Sequence, residues 1–521
     1  MKPSLGTLFE SNSYVGGVLA GAVASLVLLA MAWPFVDHMP LYDELVHFLA
    51  ARNVRDHGLP MIADGFYERA KLFTFIVAGA ITSFGDTLVA ARIPSLVASA
   101  GLLITMVVWL TRRVDLLAGI VAAGVLCILP VTLDLAILAR FYMLHALLVM
   151  GMSIALYEAA VPSRRWLSRV ALGVLAAILL LLALQLQITT LIAFAAVVAG
   201  IGALLMLDHW PTVRAFVRRY PAQTVAGSTL VLATGFALLW SMGFITDLRS
   251  APFWLEGRAN RFFYYPVVLA QSVPLFWPLF PAAVIVALLS RRRLAVFCTV
   301  VLLSALVVHS IAAAKALRYI YYVLPFFCVI WGCAVSAAAA FARQSRPRSI
   351  VFAGQAAALA LTAVVVALSQ EGQRAARLVL GRATAQQAVG FAGEAEWSPA
   401  LPVLQSLLSS ADRVVTSNAM KALYYLGRYD YELNATSVRE TVTGGEFGTD
   451  ARTGRLAIGT AESTAQVLAM TGRAVVILEE EKIGEPVGVS AAAIDEIVAR
   501  CSSVDVPPTS GIRVWTCPAV H

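Results

Sequence analysis

Charge is scarce in this sequence. Only 13% of its 521 residues are Asp, Glu, Lys or Arg, while 60% are hydrophobic. Soluble domains run near ~25% charged and ~45–50% apolar. With a mean hydropathy of +0.79, that shortage excludes an ordinary soluble protein and excludes disorder. Cysteine is sparse as well. Cys127, Cys298, Cys328 and Cys333 lie in apolar runs, where Cys behaves as a small hydrophobe. No Cys/His spacing typical of zinc occurs. A glycine-rich phosphate loop, an internal repeat and a low-complexity tail are all missing. So is any basic patch interleaved with aromatics, which argues against a nucleic-acid partner. The net charge of +8, from 39 Lys+Arg against 31 Asp+Glu, sits mostly in short clusters between apolar runs and reads as membrane topology.

What is present is a series of apolar runs near the ~20 residues a helix needs to cross a bilayer. About eleven occur, at 14–36, 88–110, 116–133, 141–160, 166–184, 188–207, 225–242, 264–289, 294–312, 319–341 and 350–368. Arg112-Arg113, Arg164-Arg165, Arg214 with Arg218-Arg219, Arg291 to Arg293, and Arg343 with Arg348 then share one side. The positive-inside rule makes that side cytoplasmic. The run at 72–84 is too short to span and reads as an interfacial or re-entrant helix. The expected fold is a polytopic α-helical membrane protein, N-terminus inside and C-terminus outside. Residues 1–369 form the transmembrane bundle, with interfacial helices in a long external loop at 38–87. Residues 370–521 form a small external α/β domain, with strands near 413–416, 456–459, 474–478 and 514–516 and helices near 461–470 and 491–500. Cys501 and Cys517 both fall in that domain, and a disulfide between them is expected if it lies outside the cytosol.

The spans are nearly free of charge, whereas a carrier of polar solutes keeps ionisable groups at mid-membrane. Here those groups gather at external span ends, which favours an enzyme at the membrane–water boundary over a transporter or flippase of a polyprenyl-linked lipid. The first external loop is the densest. Asp43 and Glu44 open an amphipathic helix, and Asp43 and His47 share a face by i, i+4 spacing. Acids at a helix start also serve as plain caps. Glu68, Arg69 and Lys71 precede the short apolar run, where they also suit a snorkelling interfacial belt. The second loop brings Arg140, with Tyr142 and His145 behind it, a group that also reads as an interfacial anchor. Lys315, Arg318 and Tyr319 stand at a later external helix end, and Arg258 and Arg261 in the loop before it. External cations run against the positive-inside trend, and a phosphate at the outer leaflet would explain them.

These residues resemble a known family. Asp43-Glu44, then His47-Phe48-Leu49-Ala50-Ala51-Arg52 and Asp56-His57-Gly58-Leu59-Pro60, are similar to the opening of the family 39 type glycosyltransferases. Those enzymes belong to the C-type, multi-span superfamily. Phe84-Gly85-Asp86-Thr87 with Ala90-Ala91-Arg92-Ile93-Pro94-Ser95 resembles their "FG…AARLPS" stretch, and Arg318-Tyr319…Leu324-Pro325 their "RY…LP" span. Tyr424 to Arg428 resembles sequence found after that bundle. The family includes the lipid A aminoarabinose transferase, protein mannosyltransferases and galacturonosyltransferases of lipopolysaccharide core. The resemblance implies a polyprenyl-phosphate sugar donor and a glycan, lipid or protein acceptor. It also implies a place in the bacterial inner membrane, with the active site facing the periplasm. Asp43 matches the family's catalytic first-loop acid, and Glu68-Arg69 resembles a Glu-Lys pair. Relatives continue with proline, where this chain has Ala70-Lys71-Leu72.

The chemistry fits the residue types. An acceptor hydroxyl needs a base, and a fixed carboxylate supplies one. The leaving lipid phosphate is already anionic and needs only charge stabilisation. Asp43 is then the expected base, with Glu44 or Glu68 orienting it or the sugar. Arg69, Lys315 and Arg318, with Arg258 and Arg261, are the expected phosphate contacts; His47, Arg140, Tyr142 and His145 line the pocket, and Lys71 and Tyr319 are further expected substrate-binding residues. No Asp-x-Asp pattern is present, so no metal or other cofactor is expected to be required.

Overall fold

In a computed structural model, the described residues are 5–161, 164–241, 261–344, 394–435, 447–484 and 488–520, with single positions 373, 377 and 380 between them. The chain forms two compact units. One comprises Met1–Pro34, Ser95–Ile137 and Phe141–Arg382; the other comprises Phe35–Pro94, Leu138–Arg140 and Ala383–His521.

The first unit is helical. Among the described residues, seven helices are long and apolar enough to cross a membrane: Tyr14–Phe35, Leu88–Arg113, Tyr142–Ala159, Trp166–Leu184, Thr190–Asp208, Arg292–Ile311 and Leu317–Phe341. A bent pair raises the count to eight. The chain is a multi-pass membrane protein.

The count differs from the expected eleven for local reasons. The run at 116–133 is two helices, Leu116–Cys127 and Pro130–Ala136, bent by 75°. Pro130 opens the second helix, where its missing N–H does no harm, but it cannot continue the first. The run at 264–289 is also broken, into Tyr264–Ser272 and Phe280–Ser290. Pro274 and Pro278 lie between them, and each removes a backbone donor. Pro221–Ser241 covers the run at 225–242. The run at 350–368 lies outside the described residues. Leu317–Val323 begins its span as a 3-10 turn, and Leu324–Gln344 continues as α-helix. That helix packs against Leu116–Cys127. The contact needs Gly332, where a Cβ would collide with the carbonyl oxygen of Ala118.

The second unit combines the first loop with a sheet. A hairpin of β1 (Met61–Ile62) and β2 (Gly65–Phe66) follows helix Tyr42–His57. Helix Lys71–Phe84 has 14 residues, or ~21 Å at 1.5 Å per residue, short of a ~30 Å hydrocarbon core. The remaining strands are β3 (Arg413–Thr416), β4 (Tyr431–Leu433), β5 (Phe447–Thr449), β6 (Leu456–Ile458), β7 (Gly472–Glu479), β8 (Ser502–Val504) and β9 (Ile512–Val520). They form one sheet in the order β5-β6-β4-β3-β7-β9-β8. The four central strands β6, β4, β3 and β7 are parallel, and the edges are antiparallel. Val415, Leu433, Ile458, Val476 and Ile497 fill one core. Strand order reverses between β3 and β7, as in doubly wound sheets. A disulfide joins Cys501, just before β8, to Cys517 in β9.

Candidate functional site

Helix Tyr42–His57 presents the first-loop residues. Asp43 and Glu44 occupy its first turn and Arg55 and His57 its last, which suits the helix dipole at both ends. The two acids have different surroundings. Glu44 is fully buried. One of its oxygens accepts from the Leu41 amide at 3.0 Å and pairs with Arg92 Nη2; the other accepts from Arg92 Nε at 3.0 Å and the Ala139 amide at 3.2 Å. Arg92, itself buried, also donates to the carbonyls of Val36 at 2.6 Å and His38 at 3.0 Å. This cluster ties together the start of the loop, the helix and residues 138–140. Burial alone would raise the Glu44 carboxyl. Arg92, His38 and the Leu41 amide instead hold it below the ordinary carboxylate range.

Asp43 is 44% exposed at its side chain, with Oδ1 3.6 Å from Arg140 Nη1. The same Arg140 nitrogen donates to the Asp43 carbonyl at 2.6 Å, so Arg140 fixes both backbone and carboxylate. One turn on, His47 is buried, with Nδ1 3.1 Å from Thr74 Oγ1 and Nε2 3.4 Å from the Tyr67 hydroxyl. Burial first, then Arg140 and Arg69, push its pKa well below 6.5. The imidazole is therefore neutral at pH 7 and acts as a hydrogen-bonding group.

Glu68 and Lys71 form an exposed ion pair at 3.0 Å, and Arg69 is exposed. Ala70 between them takes a left-handed conformation, φ 52° and ψ 45°. Proline is confined to φ near −65°, so the prolines of the relatives cannot adopt this turn. Left-handed alanine is strained by ~1–3 kcal/mol, a cost typical of functional loops.

The sheet grips the same loop. Arg452 Nη1 donates to the Tyr42 hydroxyl at 2.9 Å, and Arg455 pairs with Asp64 at 3.1 Å. The Asp64 amide donates to the Thr453 carbonyl at 2.9 Å. A Cβ on Gly65 would collide with the Arg452 carbonyl, so glycine is required there. Arg52 lies over the Phe48 ring at 4.5 Å and the Tyr424 ring at 5.7 Å.

The remaining candidates belong to the helical unit. His145 Nε2 meets Thr190 Oγ1 at 2.8 Å, and its ring packs edge-on against Tyr322 at 5.2 Å. His309 Nε2 contacts the Tyr322 hydroxyl at 2.9 Å. Tyr142 is buried. Lys315 is buried and donates to the Ala312 carbonyl. Arg318 is exposed, its guanidinium 5.6 Å from the Tyr319 ring centroid. Arg261 is exposed, and Arg258 lies outside the described residues.

Sequence reasoning did not assign roles to Arg92, Arg452, Tyr42 or His309. Arg92 had a readable signal, being a charge inside an apolar run. Arg452 had none, because its partner is 410 residues away.

The model of the Alg9-like mannosyltransferase family matches residues 257–388, the stretch that holds Arg261, Lys315, Arg318 and Tyr319. No curated protein sequence matches the chain significantly. Among solved structures, ArnT from Cupriavidus metallidurans bound to undecaprenyl phosphate is similar, with 14% identity and a TM-score of 0.61 over 96% of this chain and 97% of that one. Its apo form gives a TM-score of 0.58 at 13% identity, over 98% of each chain. The Archaeoglobus fulgidus oligosaccharyltransferase, tethered to an acceptor peptide, gives 0.52 at 13% identity, over 91% of this chain and 70% of that one. The chain shares its fold with ArnT and with this oligosaccharyltransferase. The family match and the shared fold together indicate a glycosyltransferase.

Proposed function

We propose that this protein transfers a sugar from a polyprenyl-phosphate donor to a hydroxyl acceptor on the external face of the membrane, with Asp43 as general base. The observation that carries the reading is the Asp43 carboxylate, half exposed yet fixed by Arg140, beside the neutral His47. Glu44 sits one residue on and uses its oxygens on Arg92 and two amides. Its role is to hold the helix that aims Asp43. Arg69, Lys315 and Arg318 are the cations we assign to the lipid phosphate, each to be tested by its own substitution. The undecaprenyl phosphate bound to the similar ArnT supports a polyprenyl donor. The Cys501–Cys517 disulfide supports an oxidising compartment for the sheet-bearing unit, in keeping with the arginine clusters on the cytoplasmic side. The acceptor classes are lipid A, lipopolysaccharide core, another glycan or protein.

The test is transfer from radiolabelled polyprenyl-phosphate sugars by purified protein, with mannose and aminoarabinose donors first. Wild type releases sugar from the lipid. Asp43→Asn lowers kcat by at least ~100-fold with folding intact, as expected on losing a general base. Activity persists in chelator. A well-folded wild-type protein that binds polyprenyl phosphate but turns over no donor would instead identify a lipid transporter.

A further inference from the structure

The helical unit contains a cavity of about 450 Å³ that none of the residues assigned to sugar transfer lines. It opens beside the arginine pairs Arg112-Arg113 and Arg164-Arg165. Aliphatic side chains wall it, among them Val18, Ile104 and Leu172, and its polar rim is Arg112, Glu158 and Arg164. Two of the helices around it are poorly covered by protein. Only 11% of the apolar stretch of Trp166–Leu184 and 28% of that of Tyr14–Phe35 is buried, so these helices face lipid.

The rim is positive. Glu158 pairs with both Arg113 and Arg164 and accepts from Trp109 Nε1 at 3.2 Å. One carboxylate against two guanidinium groups leaves an excess of positive charge, and Arg112 adds to it. Arg112 makes no ion pair among the described residues. Beside it the rings of Trp109 and Tyr157 pack edge-on at 5.5 Å, the pairing of aromatics and arginines found at headgroup depth.

We propose that this cavity binds an anionic phospholipid, its phosphodiester at Arg112 and the Arg113–Glu158–Arg164 rim and its acyl chains along the aliphatic wall. Free phosphate would satisfy the rim and leave the apolar wall unmatched. A zwitterionic lipid would bring an ammonium group to a rim that is already positive. Basic pockets between transmembrane helices favour anionic headgroups for these reasons.

The test is native mass spectrometry of the full-length protein in detergent, with equal amounts of phosphatidylglycerol and phosphatidylethanolamine supplied. Wild type retains phosphatidylglycerol over phosphatidylethanolamine by about fivefold, the factor one basic residue contributes near an anionic surface. Arg112→Gln reduces the preference, and Arg112→Lys keeps it. Arg219→Gln, an arginine outside the cavity, leaves it unchanged. Val18→Phe fills the wall without touching charge and also reduces retention, which covers the case of an Arg112→Gln protein that fails to fold. Equal retention of the two lipids by wild type overturns the proposal. So does an undiminished preference in Arg112→Gln, or thermal protection by inorganic phosphate equal to that by phosphatidylglycerol.

Discussion

Asp43 and Glu44 are adjacent acids with opposite environments, and the difference can be measured. Glu44 stabilises the fold through a lowered pKa, so its contribution is complete above its ordinary value of 4.5 and disappears as the pH falls through the lower, folded value. His38 and His47 act earlier in an acid titration. Burial holds His38 at about 4 and His47 well below 6.5. Below pH 6.5 the unfolded chain therefore binds protons that the folded loop refuses, and folding weakens. We expect protease resistance of the first loop to decline from about pH 6.5 downward, and to fall again as Glu44 protonates. Glu44→Ala leaves Arg92 buried without its carboxylate and destabilises by ~3–5 kcal/mol. Replacing the pair together, Glu44→Leu with Arg92→Met, recovers part of that loss, as thermal unfolding would report. The candidate acid itself was legible in the sequence, because a carboxylate pair after an apolar span stands out against so little charge. The division of labour within the pair was not, because it depends on Arg92, 48 residues away.

Among the elements, long uninterrupted apolar helices were legible and interrupted ones were not. Trp166–Leu184 has the bounds the sequence predicts, since nothing in it opposes a continuous helix. At 116–133 and 264–289 hydropathy ran on through prolines that the backbone could not pass. In the sheet, β7 and β9 are long enough to show their apolar pattern. The strands β4, β5 and β8, of three residues each, were not anticipated, although the equally short β6 was expected at 456–459. The hairpin of β1 and β2 was equally hidden, yet it makes a close backbone approach to the Arg452 carbonyl. Gly65→Ala forces its new methyl into the Arg452 backbone. We expect a loss of ~1–3 kcal/mol from that overpacking and a drop in transfer rate, since the same hairpin anchors the helix that carries Asp43. Parallel measurement of thermal unfolding and turnover in this variant would link the two.

Over the whole molecule, the disulfide is the simplest feature to examine. Denatured membranes alkylated with a maleimide polymer should show four reactive thiols, from Cys127, Cys298, Cys328 and Cys333, and six after reduction. Removing the bridge with Cys501→Ser and Cys517→Ser opens a loop of 16 residues and should lower stability by ~3 kcal/mol. The unit that contains this bridge is assembled from three separate stretches of chain, with helical spans threaded between them. Asp64 and its partner Arg455 are 391 residues apart. A ribosome adding ~5–20 residues per second needs roughly 20–80 s to travel that distance. Throughout that interval the loop bearing Asp43 has been made, but the turn of Arg452 to Arg455 that clasps it does not yet exist. A chain cut short at any point before Thr453 would carry the acid and lack its grip. In the proposed reaction such a chain is expected to be inert, so that completion of synthesis is itself the step that arms the protein.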